Sequence, residues 1–179
     1  MRVHSRINKM PDCNSDSAPP GKARSFRYVP RALLLILRLH LGVILIITVM
    51  GKITRTEPFS VEMLGFLQGY SMKNASAPYQ YFLQHLVIPH AALFSYLVIV
   101  GELAAGLSLL FGLGTRVASA LAMFLFLNFL FAKGRLFWSP DSEDAAVFFS
   151  ALVCLLGAAG RVWGIDAYLA RHWPRIILW

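Results

Sequence analysis

Cysteine is almost missing: the 179 residues include two, Cys13 and Cys154, and no Cys-x-x-Cys pair. An internal thiol–disulfide relay is thereby excluded, and Cys154, inside an apolar run, is expected to be a small packing residue. Acidic residues are scarce as well, nine against 17 Lys and Arg. Charge of either sign makes up only 15% of the chain and the mean hydropathy is +0.59, which excludes an ordinary soluble domain. The period-2 alternation of a membrane β-barrel is absent. So is any zinc, haem or nucleotide signature. His85 and His90 stand five apart on diverging helix faces, and His40 and His90 fall at opposite depths, so no metal ligands are expected.

What the chain does have is hydrophobic runs, at residues 32–51, 86–111, 117–132 and 145–163. Each approaches the roughly 20 residues that a helix needs to cross about 30 Å of hydrocarbon. Backbone amides in lipid must bond within their own segment, so these runs are helices. The expected fold class is all-α: a four-transmembrane-helix bundle over residues 31–179. Residues 1–30, polar and broken by Pro19-Pro20-Gly21, form a disordered basic tail. No small-x-small cleavage site follows the first run, so that span is expected to be retained.

The net charge of +8 suggests topology, not nucleic-acid binding. Seven basic residues precede the first run and Arg116, Arg161, Arg171 and Arg175 join them, eleven on one side. Lys52, Arg55, Lys73, Lys133 and Arg135 make five on the other. The positive-inside rule then predicts a multi-pass protein of the cytoplasmic membrane with both termini cytoplasmic.

In the long first connection, Phe59, Met63, Phe66 and Tyr70 recur at helical spacing. They predict an amphipathic segment on the outer surface, either a lid over the bundle mouth or an interfacial packing element. Gly112-Leu113-Gly114-Thr115-Arg116 is a tight turn that makes spans two and three an antiparallel hairpin. Ser139 and Pro140, followed by three acids, predict an N-cap and first helical residue for span four, bracketed by Trp138 and Trp163 at the membrane surfaces. Asp166 to Trp173 suggest a short amphipathic helix on the cytoplasmic face.

Two charges fall inside the runs, Arg38 and Glu102. An Arg or Asp at mid-membrane costs about 2.5–3.5 kcal/mol, and Glu a similar amount, so a contact between the two is expected. Counted from the span ends, their depths differ by roughly 5 Å, within reach of an arginine. The stripe Arg38, Gly42, Leu45, Val49 and Lys52 faces a small, polar side of span two made by Ser95, Glu102 and Gly106. Such a pair either fixes helix register or supplies a working carboxylate, with Glu102 and Arg38 as the catalytic candidates. His40 and Asn128 are the polar side chains that could line the same cavity, or else bond a neighbouring carbonyl.

Arg38-x3-Gly42, Gly51-Lys52, Gly101-Glu102 with Gly106, Gly112-x-Gly114-Thr115-Arg116, and Gly160-Arg161 with Asp166 follow one another across the four runs. In this order and spacing the chain resembles the DoxX/DoxD family of small four-helix membrane proteins, over about residues 33–170. The resemblance implies a prokaryotic cytoplasmic-membrane protein. Members are described as the small subunit of thiosulfate:quinone oxidoreductase, or as membrane partners of enzymes handling oxidative and thiol stress.

Three functions follow as expectations. The first is a subunit of a membrane oxidoreductase, dependent on a redox partner, in which a diffusible quinone approaches Glu102, His40 and Asn128 while Arg38 steadies the anion. No covalently bound cofactor is expected. The second is a non-catalytic scaffold that recruits a soluble partner or anionic lipid. The third is a small-molecule carrier, which would need a homo-oligomer to enclose a path.

Overall fold

The computed structural model describes residues 31–140 and 142–172. The tail 1–30, with Cys13, and residues 173–179 lie outside the described residues. Within them, α1 (Arg31–Ile53), α5 (Ala91–Phe111) and α6 (Thr115–Ala132) are long and apolar enough to cross a membrane. α7 (Glu143–Leu156) completes a ring in which α1 packs on α5, α5 on α6, α6 on α7 and α7 on α1.

The core of this ring comprises Leu34, Leu41, Leu45, Leu109, Ala122, Phe126, Ala151 and Cys154, with their neighbours. Against lipid tails such contacts gain little from burial itself, so close approach of the backbones carries the packing. It is closest where Gly42 meets Gly106: a Cβ on either would lie 3.1–3.2 Å from the other's carbonyl oxygen. This contact fixes the α1–α5 register. Descending α1 from Lys52 to Leu45 to Gly42, the chain meets Glu102, Gly106 and Leu110 of α5 in turn.

α7 is shorter than the run that encodes it. Fourteen residues reach about 21 Å at 1.5 Å per residue. The helix ends at Leu156, where Gly157 and Ala158, the latter at φ +46°, lead into a single 3₁₀ turn, Ala159–Arg161. Its start is also later than expected. Ser142 is the cap, accepting from the Ala145 amide at 3.3 Å, with Glu143 and Asp144 in the first turn. Ser139 instead accepts from Leu136 N at 3.2 Å and closes the preceding loop. The second run likewise begins late: Pro89 supplies no amide donor, and α5 starts only at Ala91.

The first connection holds α2 (Phe59–Phe66), a π-helical turn at Leu67–Ser71, α3 (Met72–Asn74), α4 (Ala77–Phe82) and a second π-helical turn at Leu83–Val87. Phe66 stacks on Tyr70, and no residue of α2 is buried. Leu67, Leu83 and Val87 form a small second core with Met63, Met72, Phe82 and Phe94, and α2 packs on α5. The segment is thus held by its own apolar cluster. Beyond the 3₁₀ turn, α8 (Ile165–His172) lies at the end of the bundle that also holds the α5–α6 turn.

Candidate functional site

The expected Arg38–Glu102 contact does not form, and the register explains why. Glu102 sits beside the last turns of α1, about eleven residues and roughly 16 Å from Arg38 along the helix axis. Depth counted from span ends assumed that α1 and α5 finish level. In fact α1 overhangs, so Arg38 stands level with the α5–α6 turn instead of about two turns inside it.

Arg38 is 1% exposed. Its Nη1 donates to the carbonyls of Ala159 and Val162, both at 3.1 Å, and Nη2 donates to Trp163 O at 3.3 Å. These carbonyls belong to the 3₁₀ turn and the two residues that follow it, and Ala159 O also accepts from Val162 N at 3.2 Å. The guanidinium is therefore a clip for the C-terminal turn. Asp166 works beside it: its carboxylate accepts from Gly114 N at 2.6 Å and Thr115 N at 2.8 Å, capping α6, while its own amide donates to Gly112 O at 2.8 Å. Gly112 closes α5 at φ +67°, and a Cβ there would lie 2.6 Å from Arg38 Nη1 and 2.7 Å from Gly164 Cα. The motif residues around Arg38, Gly112, Gly114, Gly160 and Asp166 thus converge on one junction, in which Arg38 Nε and Thr115 Oγ1 are buried without a hydrogen-bond partner.

At the opposite end, Glu102 is equally buried, at 1% exposure, and its partner is Lys52. Nζ donates to both carboxylate oxygens, at 2.6 and 2.5 Å. Lys52 comes from the last turn of α1 and turns back one helical turn, keeping its side chain 18% exposed. Its ammonium lies 5.0 Å from the Phe59 ring centroid and 5.4 Å from that of Phe129, a cation–π arrangement that draws α2 and α6 around it. The site is a buried carboxylate bound to the ammonium of a partly exposed lysine side chain, with two aromatic faces beside it. It can hold or donate a proton and can hydrogen-bond a ligand oxygen.

The other expected site residues separate. His40 is exposed on α1, two residues from Arg38 on the opposite helix face, and away from Glu102. Asn128 is on α6 in the half that carries Phe129, but its side chain is engaged: Nδ2 donates to Phe124 O at 2.7 Å, and Oδ1 accepts from the Tyr79 hydroxyl at 3.2 Å. Burial pushes the Tyr79 phenol up to about 12. A second ion pair at this end, Lys133–Asp144 at 2.6 Å, ties the end of α6 to the start of α7. Among the described residues, no group of three or more His, Cys, Asp or Glu side chains gathers that could hold a metal.

Lys52 was within reach of sequence reasoning, since it lies on the same stripe as Arg38 and Val49. Its position at the span end suggested solvent, and a lysine bending back inward was the missed possibility. Asp166 was assigned to a surface helix. Its burial follows from two free amides at the start of α6, a signal present in Gly114-Thr115 only once the turn and the tail are known to meet.

A family model described as DoxX matches residues 33–134, which covers α1 to α6 and includes Arg38, Lys52, Glu102 and Gly112. No curated protein and no solved structure matches the chain.

Proposed function

The chain belongs to the DoxX family, and on that premise we propose that it is the non-autonomous membrane subunit of a quinone-linked oxidoreductase, with Lys52–Glu102 as its proton-handling pair. The observation that carries this reading is the Lys52 ammonium, on a partly exposed side chain, fixed on a buried carboxylate within about 5 Å of two phenylalanine rings. These residues suit a quinone: Nζ is a donor for a ring oxygen, and Phe59 and Phe129 offer flat apolar faces. When bound, the quinone is the acceptor of two electrons and two protons, the electrons coming from a partner enzyme that oxidises thiosulfate or a thiol. Lys52 holds a transferable proton at Nζ. Glu102 positions that nitrogen and balances its charge, and the two rings keep water from it. His40 and Asn128 take no part in this arrangement, and Arg38 serves the fold.

The test is thiosulfate-dependent and thiol-dependent quinone reduction in membranes containing the chain at matched levels. Glu102→Gln and Lys52→Met should each lower the rate by about 100-fold, the usual scale for a lost general acid. Wild-type rates in both variants would remove the pair from the reaction.

A second reading, a non-catalytic scaffold, is favoured by the Arg38 clip and the Asp166 cap, which devote two buried charges to the chain's own backbone. Under that reading Glu102→Gln, correctly inserted, would leave cellular function intact.

We also propose four spans, with α7 and the following turn forming the last, and both termini in the cytoplasm. The support is charge placement. Eleven Lys and Arg, seven of them within residues 1–31, fall on the side of the α5–α6 turn, against five on the other, Lys52, Arg55, Lys73, Lys133 and Arg135. Labelling of Ser139→Cys from outside intact cells, with Leu113→Cys protected, is the expected pattern.

A further inference from the structure

We infer that the turn after α7 together with α8 forms a binding site for an anionic phospholipid headgroup. This rests on the membrane reading of the chain and is independent of the redox assignment. Three observations converge on it.

The first is placement. The bonds from Asp166 to Gly112, Gly114 and Thr115 hold α8 against the α5–α6 turn, the level at which α5 ends and α6 begins. With its acidic group turned inward, the helix offers its remaining face to the membrane surface.

The second is charge and shape. Arg161 and Arg171 flank an open depression of about 310 Å³ floored by Ala167 and Ala170. The alanines leave room for a phosphate between two guanidinium groups, whose planar forks match phosphate oxygens in pairs. Asp166, on the same helix, is buried and bonded to the Gly114 and Thr115 amides, which offset its charge.

The third is the apolar rim. Trp163 is 89% exposed and adopts φ +53°, a left-handed conformation that a bulky side chain rarely takes; its carbonyl is held by Arg38. Tyr168 and Ile165 are 62% and 43% exposed on the adjoining turn of α8. Arginines beside exposed aromatic and aliphatic side chains at the end of a span match a lipid, whose phosphate and glycerol regions lie together. A soluble acidic protein would match the arginines alone.

The experiment uses the full chain with Trp138, Trp173 and Trp179 replaced by Phe, leaving Trp163 as the reporter. It is placed in phosphatidylcholine nanodiscs containing the same minor fraction of either brominated phosphatidylglycerol or brominated phosphatidylcholine. Stronger quenching by the phosphatidylglycerol is expected, a preference of about fivefold per arginine, with Arg161→Gln/Arg171→Gln bringing the two lipids level. Equal quenching with the arginines present would overturn the site, as would a preference that survives their removal. Loss of the preference on adding inorganic phosphate would assign the depression to a free anion. Equal quenching combined with arginine-dependent retention of an acidic soluble protein would assign it to a protein partner. Should the double variant fail to fold, native mass spectrometry of the unsubstituted chain decides, with retained phosphatidylglycerol outnumbering phosphatidylcholine expected and equal retention refuting the site.

Discussion

Replacing Arg38 with Met separates two effects that act in opposite directions. Insertion becomes easier, because a charge within the apolar run is gone, although near the end of the bundle it costs less than the about 2.5–3.5 kcal/mol of a mid-membrane position. The folded bundle becomes weaker, because the carbonyls of Ala159, Val162 and Trp163 lose their bonds to the guanidinium, Ala159 keeping the one from Val162 N. Hydrogen bonds measured inside membrane proteins average about 0.6 kcal/mol, which for three bonds sets a floor near 2 kcal/mol. Bonds to a charged donor are worth about 1.5–3 kcal/mol each, and two of the three have good geometry, so the loss should reach roughly 4 kcal/mol. Arg38→Lys, whose ammonium cannot bridge the whole set, should lose about half of that. Expression level would mix the two effects, so the assay is reversible unfolding in mixed micelles, with tryptic cleavage after Arg161 as a local probe. Arg38→Met should unfold earlier and be cut at Arg161 well before the bundle opens. Stability within about 0.5 kcal/mol of the parent, with no added cleavage, would refute the clip.

Other expectations follow from the same geometry. Gly112→Ala should destabilise by about 2 kcal/mol or more, since its Cβ would meet Arg38 Nη1 at 2.6 Å from a left-handed backbone; Gly51→Ala, with nothing within 4 Å, should be neutral or slightly stabilising in the same unfolding assay. Lys52→Met, which orphans the buried Glu102 carboxylate, should lose about 3–5 kcal/mol, and adding Glu102→Leu should recover most of it. The Tyr79 phenol titrates near 10 when unfolded and is raised to about 12 by burial when folded. The folded state holds that proton more tightly, so this contribution to stability is complete below pH 10 and disappears as the pH rises toward 12. Tyr79→Phe should abolish that part of the pH dependence, measured by unfolding at a series of alkaline pH values.

The apolar helices were legible because a run of about twenty hydrophobic residues leaves the backbone no alternative in lipid. Their ends were less so. Pro89 delays α5, and the stop after Leu156 depends on Arg38 collecting carbonyls from a segment 121 residues away. The stripe from Arg38 to Lys52 and the small face of α5 were correctly placed opposite each other, yet the pairing along them was shifted by about three turns. Register in an antiparallel helix pair is set by where the backbones touch, here at Gly42 and Gly106, and that contact leaves no mark on span boundaries. Glu102 was legible as a buried charge in need of a partner. Lys52 was not legible as that partner, because a lysine at a helix end is ordinarily solvated.

The central claim is that Glu102 pairs with Lys52 and not with Arg38, and a pair of double-mutant cycles on unfolding free energy tests it most directly. In one cycle Lys52→Met is combined with Glu102→Leu; in the other Arg38→Met is combined with Glu102→Leu. A coupling of about 2 kcal/mol or more in the first and near zero in the second is the predicted result. Coupling in the Arg38 cycle, with none in the Lys52 cycle, would contradict the register and the site built on it.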